Sequence, residues 1–111
     1  MPVEISQSEL KKTVEQAQAG SQEAFYRLYS IFSRPIYSFI WRLVGSAAEA
    51  EDLTQETFLK VHSELGGLRE TGQFRFWLFR IARNEVYQLL RKTKRKTEVS
   101  IEDEDLPFVE F

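Results

Sequence analysis

The stretch G-S-A-A-E-A-E-D-L-T-Q-E-T-F-L-K-V-H-S-E-L-G-G, residues 45–67, contains one whole helix together with the signals for its two ends. Gly45 is suited to end a preceding helix, and Ser46 with Glu49 forms the S-x-x-E pattern of a capping box. Apolar side chains then recur every three or four residues as far as Leu65, as on the buried side of a helix. A pair of glycines follows. The stretch therefore predicts a helix that ends near residue 65 and packs against other helices.

Helical spacing continues through the rest of the chain, and no alternating strand pattern interrupts it. Ser21 is a candidate N-cap, and Pro35 should break or kink the helix that follows it. The predicted helices cover residues 8–19, 22–34 with a continuation over 36–44, 46–65 and 74–94. The second carries Phe25, Leu28, Tyr29, Phe32, Ile36, Tyr37, Ile40 and Leu43 at core spacing. The predicted fold is all-α: a compact bundle of about four helices with a kinked second helix.

Charge is divided unevenly along the 111 residues, although the formal net charge is only −2. Residues 75–97 hold eight Lys/Arg and one Asp/Glu, whereas residues 98–111 hold six Asp/Glu and no Lys/Arg. We therefore divide the chain into a helical domain, residues 1–96, and an acidic tail, residues 97–111. A basic block beside an acidic tail indicates an anionic partner for the block and a cationic one for the tail.

Composition excludes several classes of protein. The chain has no cysteine, which rules out disulfides and thiolate metal sites and suits a reducing cytoplasm. No apolar run approaches the roughly 20 residues of a membrane span, and no signal peptide is evident. His62, the only histidine, has no ligand set around it in the sequence and is interpreted as a surface or boundary residue.

The predicted third helix has two unlike sides at 100° per residue. The side expected to face the core carries Ala50, Leu53, Thr57, Phe58, Val61 and Leu65. The opposite side carries Asp52, Gln55, Glu56, Leu59 and Ser63. This second side is either an ordinary solvated face or a docking site, and Leu59, an apolar anchor among acceptors, favours a basic protein partner.

The last predicted helix divides in the same way. Its core side carries Phe74, Leu78, Ile81, Ala82, Val86 and Leu89. Another side carries Phe76, Arg80, Arg83, Asn84, Tyr87 and Arg91. Arginines between aromatic rings suit single-stranded nucleic acid, although the rings could instead pack under neighbouring elements while the arginines are solvated. Trp77 lies at the boundary of both sides. The basic residues 91–96 either extend the nucleic-acid face or form an ordinary helix end.

Three motifs carry a resemblance to a known family. They are G-S-Q-E-A-F-Y-R-L-Y (residues 20–29), E-A-E-D-L-T-Q-E-T-F-L-K-V (49–61) and F-R-F-W-L-F-R-I-A-R-N (74–84). In this order and spacing they resemble the second conserved region of sigma-70 family factors, and most of all the extracytoplasmic-function (ECF) branch. The similarity covers roughly residues 18–92.

The resemblance implies a role in bacterial transcription initiation, in the cytoplasm. It assigns Asp52, Gln55 and Glu56 to docking on a coiled coil of the core RNA polymerase β′ subunit. We add Leu59 to the predicted docking residues because it lies on the same side of the helix. It assigns the loop over residues 66–73 and the helix after it to the non-template strand of the promoter −10 element, with one base flipped out of the stack. The predicted DNA-binding residues are Leu68, Arg69, Gln73, Arg75, Phe76, Trp77, Arg80, Arg83, Asn84, Tyr87 and Arg91. An anti-sigma factor is a further implied partner.

One departure from the family is that no helix-turn-helix domain for the −35 element follows. The chain is therefore interpreted as an isolated promoter-melting domain, excised or truncated, and its tail as the start of an acidic linker. Two alternatives remain. The chain could act mainly through protein contacts, with little DNA binding of its own, or Asp52 and Glu56 could be metal ligands of a hydrolase or nuclease. No second acidic cluster matches the latter, so we expect no enzymatic activity, metal or cofactor.

Overall fold

A computed structural model of the protein describes residues 5–97, with side chains described as far as Lys94. Four α-helices make up most of this part of the chain, which contains no strand. They are α1 (Gln7–Gln18), α2 (Gln22–Val44), α3 (Ala47–Glu64) and α4 (Phe74–Thr97). Two 3-10 turns, Leu65–Gly67 and Thr71–Gln73, lie between α3 and α4. The all-α prediction is confirmed, whereas the tail, residues 98–111, lies outside the described residues.

Serine side chains begin the first three helices. In each case the serine Oγ accepts a hydrogen bond from a backbone N–H in the first turn, as an N-cap does. The caps are Ser6, Ser21 and Ser46, with Oγ to N distances of 3.2, 3.1 and 3.3 Å. Gly45 ends α2 with φ 69°, in the left-handed region that favours glycine. The roles predicted for Ser21, Gly45 and Ser46 are confirmed, and α1 begins one residue earlier than predicted.

Helix α2 continues through Pro35, so the alternative of a break there is not realised. The proline ring removes one backbone donor and crowds the carbonyl of Ile31, four residues earlier. The helix tolerates this because α2 buries one apolar side chain per turn against the rest of the bundle. These side chains are Leu28, Phe32, Ile36 and Ile40. Burial of this stripe outweighs the lost hydrogen bond.

Ring contacts give the directions of the helices. Phe32 meets Phe74 at 5.5 Å between centroids, and Phe39 meets Phe79 at 5.3 Å, so α2 and α4 run parallel. Tyr29 meets Phe58 at 4.9 Å and Phe25 meets His62 at 5.0 Å, so α3 runs antiparallel to α2. The core side chains of α3, of the turn after it and of α4 include Ala50, Phe58, Val61, Leu65, Phe74, Leu78, Ala82 and Val86.

One ion pair ties α3 to α4. Lys60 Nζ lies 2.5 Å from Glu85 Oε2, and the Glu85 side chain is 8% exposed. The hydrogen bond that Lys60 donates to Glu85 raises the pKa of Lys60 above its ordinary value of 10.5, against the opposing effect of burial. Glu85 is the only acidic residue of the basic block and stands three residues after Ala82 at core spacing. A lone carboxylate at such a position could have indicated this buried pair from the sequence.

Candidate functional site

The first candidate surface is the side of α3 that faces away from the core, called here the α3 outer face: Asp52, Gln55, Glu56 and Leu59. All four residues are exposed, and Leu59 retains 64% of its accessible surface. The separation of α3 into a core side and an exposed side is therefore confirmed, and Ser63 is exposed on the same helix. An exposed leucine between two carboxylates and an amide offers an apolar contact inside an acceptor-rich rim.

An apolar groove of about 490 Å³ adjoins the α3 outer face. It lies between α2 and α3 and is lined by Phe25, Tyr26, Tyr29, Gln55, Phe58, Leu59 and His62. Tyr26 is 67% exposed and Tyr29 40% exposed. The prediction that Tyr29 is a core residue is wrong: it stands about 100° from the buried Leu28 around α2, and its ring covers the edge of Phe58 instead. His62 is exposed and makes a T-shaped ring contact with Phe25, in agreement with its interpretation as a surface or boundary residue.

The second candidate surface is the α4 outer face: Phe76, Arg80, Arg83, Asn84, Tyr87 and Arg91. Phe76 is 62% exposed, although the ring of Phe74 two residues earlier is fully buried. Arg83 and Tyr87 are half-buried, with the guanidinium carbon 5.9 Å from the centre of the tyrosine ring. Arg80 and Arg91 are eleven residues apart, or about 16 Å along the axis at 1.5 Å per residue. The face thus extends over about three helical turns and carries three arginines and an asparagine together with two aromatic rings.

At its N-terminal end the α4 outer face meets the α3–α4 loop in a depression of about 470 Å³. The depression is lined by Gly67, Leu68, Arg69, Glu70, Gln73, Phe76, Trp77 and Arg80. Six of these eight residues were predicted to bind DNA. Trp77 is half-buried, and its ring lies 5.9 Å from that of Phe74, so it belongs to both the core boundary and the depression.

Arg75 is the predicted DNA-binding residue that the structure places elsewhere. Its guanidinium lies 5.0 Å from the centre of the Phe32 ring, and it is not among the residues that line the depression. A successive residue on a helix turns by about 100°, so Arg75 and Phe76 point in different directions. Arg75 packs on the side of α4 that faces α2. Its predicted contact with DNA stays a prediction.

The loop that forms one wall of the depression is held by side chains of α1. Gln18 Nε2 donates to the backbone oxygens of Leu65 and Leu68 at 3.0 and 2.6 Å. Gln7 Nε2 donates to Gly72 O at 2.8 Å, and Thr71 Oγ1 donates to Glu15 Oε2 at 3.0 Å. These contacts could not be predicted from the sequence, because polar residues on a short amphipathic helix are most simply interpreted as a solvated face.

Two further observations concern other kinds of site. Among residues 5–97, no three His, Asp or Glu side chains converge as metal ligands would. None of the helices in the same range combines the length and the apolar character that crossing a membrane requires.

Comparison with known families gives a match to sigma-70 region 2 over residues 28–96, well over half of the chain. The chain belongs to the sigma-70 family. The α3 outer face, the loop and most of α4 all lie within the matched part of this sigma-70 region 2, whereas α1 precedes it.

Similar curated proteins place the chain in the ECF branch of the sigma-70 family. It is 41% identical over 92 residues to the ECF RNA polymerase sigma factor BldN of Streptomyces coelicolor, covering 82% of this chain and 35% of that protein. It is 34% identical over 85 residues to the ECF RNA polymerase sigma factor SigW of Bacillus subtilis, covering 77% and 46%. The RNA polymerase sigma-H factor of Pseudomonas aeruginosa is 34% identical over 107 residues, covering 96% and 55%. The chain therefore spans between about a third and just over half of these relatives.

Proposed function

We propose that this chain acts in bacterial transcription initiation as a domain that docks on core RNA polymerase and captures one promoter strand. The α3 outer face binds the coiled coil of the β′ subunit. The depression and the α4 outer face bind the non-template strand of the −10 element. Docking and strand capture take place in the cytoplasm, on the polymerase, and are driven by binding free energy alone.

The observation that carries this proposal is the depression between the loop and α4. Leu68, Arg69 and Gln73 reach it from the loop, and Phe76 and Arg80 reach it from the helix. Flipping a base out of a duplex costs a few kcal/mol of stacking and pairing, which a pocket with a ring and hydrogen-bonding groups can offset. The depression offers such a pocket, with Phe76 and Trp77 for stacking.

The rest of the strand follows the α4 outer face. Arg80, Arg83 and Arg91 contact phosphates, while Tyr87 offers a ring on which a neighbouring base can stack. Phosphate contacts position the strand, and base contacts in the depression supply sequence preference. The rigid helix holds the backbone and the loop encloses the base.

Docking on polymerase uses the acidic rim and the apolar groove together. Leu59 and Tyr26 present exposed apolar surface, and Asp52 and Glu56 flank it with negative charge. A partner helix with apolar side chains inside a basic border fits both features. This surface shares no residue with the depression, so polymerase and DNA can be bound at the same time.

The proposal is tested by adding the tagged chain to core RNA polymerase and then crosslinking it to a −10 non-template oligonucleotide. We expect retention of polymerase and crosslinks at the Leu68–Arg69 loop and at Phe76. Glu56→Ala should reduce retention. Glu64→Ala, which removes an exposed carboxylate from the same helix outside the α3 outer face, should not. Retention without any crosslink to DNA would overturn the DNA-binding part.

The alternative is a module that acts through protein contacts alone, such as those to an anti-sigma factor. It is favoured by the exposed apolar groove beside Tyr26 and Leu59, which needs only a protein partner. The crosslinking arm separates the two functions, because only the first requires the depression to bind single strands.

A further inference from the structure

The α3–α4 loop has few interactions of its own to keep it in one shape. Only short backbone hydrogen bonds close the 3-10 turns: Leu68 N donates to Leu65 O at 3.1 Å in the first, and Gln73 N to Glu70 O at 2.8 Å and Phe74 N to Thr71 O in the second. Neither turn has a side-chain cap at its start. Apart from its chain neighbours and the backbone of its own turn, no atom lies within 4 Å of where a Cβ would stand on Gly66. A connection of this kind would sample many conformations if nothing else restrained it.

Helix α1 restrains the first turn through one side chain. Gln18 Nε2 donates to Leu65 O at the start of the turn and to Leu68 O just after its end. One amide group thus fixes the separation of the two carbonyls that bracket the turn. Gln18 is half-buried, which protects these hydrogen bonds from competition with water.

The same helix restrains the second turn at two points. Gln7 Nε2 donates to Gly72 O, and the buried Thr71 donates its hydroxyl to Glu15. A Cβ on Gly72 would lie 3.4 Å from Gln7 Nε2, so the turn is seated directly against α1. The exposed pair Arg69 and Glu70, between the two restrained turns, lines the depression.

The restraining side chains share one side of α1. Taking Gln7 as the origin, Gln18 lies about 20° and Glu15 about 80° around the axis, and Gln7 and Gln18 are about 16 Å apart along it. Leu10 and Val14 are fully buried on the adjoining side and anchor α1 in the core. Helix α1 is therefore a fixed brace that spans the loop from one turn to the other.

We infer that α1 is a positioning element for base selection: Gln7, Glu15 and Gln18 hold the two 3-10 turns in the arrangement that forms the base-binding depression. This inference rests on the proposed function of the depression. A loop already held in its bound shape loses less conformational freedom when a base enters. A held loop also discriminates, because it does not refit around a base of the wrong shape.

The first test is Gln18→Met, which keeps the length of the side chain and removes its donor. The matched control is Gln16→Met, at an exposed glutamine of the same helix that donates to neither turn. The probes are single-stranded oligonucleotides with −10-like sequences, in which each position is varied through all four bases. Binding to the full chain is measured by fluorescence anisotropy, and hydrogen exchange is measured on the loop amides.

We expect Gln18→Met to lower the ratio of affinities for the best and worst base by about fivefold, the factor that one neutral hydrogen bond is worth. Loop amides should exchange at least about fivefold faster, while amides in the middle of α4 and the Gln16→Met variant keep the parent values. A purely structural role for Gln18 would not change the affinity ratio.

A second pair of variants keeps the test decisive if Gln18→Met folds poorly. Thr71→Val removes the hydroxyl that donates a hydrogen bond to Glu15, and Thr71→Ser keeps this hydroxyl. The valine variant should reproduce the loss of base preference, and the serine variant should retain it. Base preference unchanged in both Gln18→Met and Thr71→Val would overturn the inference and leave the proposed function intact. Absence of any base preference in the parent chain would overturn the proposed function, and the inference with it.

Discussion

The α3 outer face and the depression beside α4 are built in different ways. The α3 outer face belongs to one helix, and any helix with this sequence presents Asp52, Gln55, Glu56 and Leu59 together. The depression needs a loop, a second helix and the brace from α1. The first surface is therefore a property of local sequence, and the second is a property of the tertiary fold. We expect the two surfaces to respond differently to the same kind of change.

Both surfaces nevertheless rest on one core, and removing Phe74 should damage them together. Its ring is fully buried against Phe32 and Trp77, so Phe74→Ala should lower the free energy of unfolding by about 3–5 kcal/mol. Phe76→Ala, two residues along the same helix but 62% exposed, is the matched control for stability and for polymerase binding and should change both little. Thermal melting measures the loss of stability, and separate assays of polymerase and DNA binding measure the damage to the two surfaces. A Phe74→Ala variant that melts like the parent would contradict the packing described.

Removing charge from the α3 outer face should weaken polymerase binding but leave the stability of the chain almost unchanged. Asp52→Ala with Glu56→Ala should weaken core-polymerase binding by at least about 2 kcal/mol, because charged groups that become buried in an interface typically contribute that much. The melting temperature should barely change, since both carboxylates are exposed in the free chain. A pull-down titration measures the first effect and calorimetry the second. Normal binding, or a much lower melting temperature, would mean that the face is wrongly assigned.

The features that the sequence could predict are those that depend on local sequence, and the features that it could not predict depend on the tertiary fold. Helical spacing and end signals placed α3 and α4 within a few residues and separated their buried from their exposed sides. The exceptions are informative. Tyr29 has core spacing but stands at the edge of the α2 stripe, where its ring covers Phe58. Periodicity assigns a side chain to a sector of the helix, whereas burial at the sector's edge depends on what packs there.

The contacts of the loop could not be predicted from periodicity. Gln18 is 47 residues from Leu65 in sequence, and Gln7 is 65 residues from Gly72. A glutamine on a helix surface has the same local signature whether it meets water or a distant carbonyl. The resemblance to the sigma-70 family predicts a function for this loop, whereas only the tertiary structure shows which residues hold it.

The depression should divide its work between loop and helix. Arg80→Ala and Arg83→Ala should weaken all single strands alike and reduce the slope of log affinity against log salt by about 0.7 per lost phosphate contact. Substitutions in the loop, such as Arg69→Ala and Gln73→Ala, should instead flatten base preference at a cost of roughly 1–3 kcal/mol for the preferred base. Of the two arginines, Arg80 tests this division more strictly than Arg83, because Arg80 also lines the depression in which the base is expected to bind.

The measurement is fluorescence anisotropy with −10-like single strands, varied by base and by salt concentration. Arg34→Ala, an exposed arginine on α2 outside both surfaces, is the control for loss of positive charge alone. If loop variants lower affinity for every strand equally while the arginine variants alter base preference, the proposed division is wrong.

The smallest effect concerns the ion pair that joins the two helices. Glu85→Ala should lower the free energy of unfolding by about 1 kcal/mol, less than a fully buried pair would, because Lys60 is 38% exposed and can return to water. Replacing both residues, Lys60→Met with Glu85→Leu, should be close to neutral, since neither charge is then left buried without its partner. Urea unfolding of the parent, the single variant and the double variant gives the three free energies.

The same pair predicts a response to pH. The hydrogen bond to Glu85 raises the pKa of folded Lys60 above 10.5, so its contribution to stability is complete below 10.5 and is lost as pH rises through the raised value. The parent should therefore lose stability relative to the double variant only above pH 10.5.

Because the pair lies between α3 and α4, its loss should loosen the contact between the two helices, while the side chains of both outer faces stay unchanged. Polymerase and single-strand binding by Glu85→Ala, measured at neutral pH, should then change less than in any variant of the faces themselves. A larger loss of binding there than in Asp52→Ala or Arg80→Ala would show that the relative placement of α3 and α4 matters more than either surface alone.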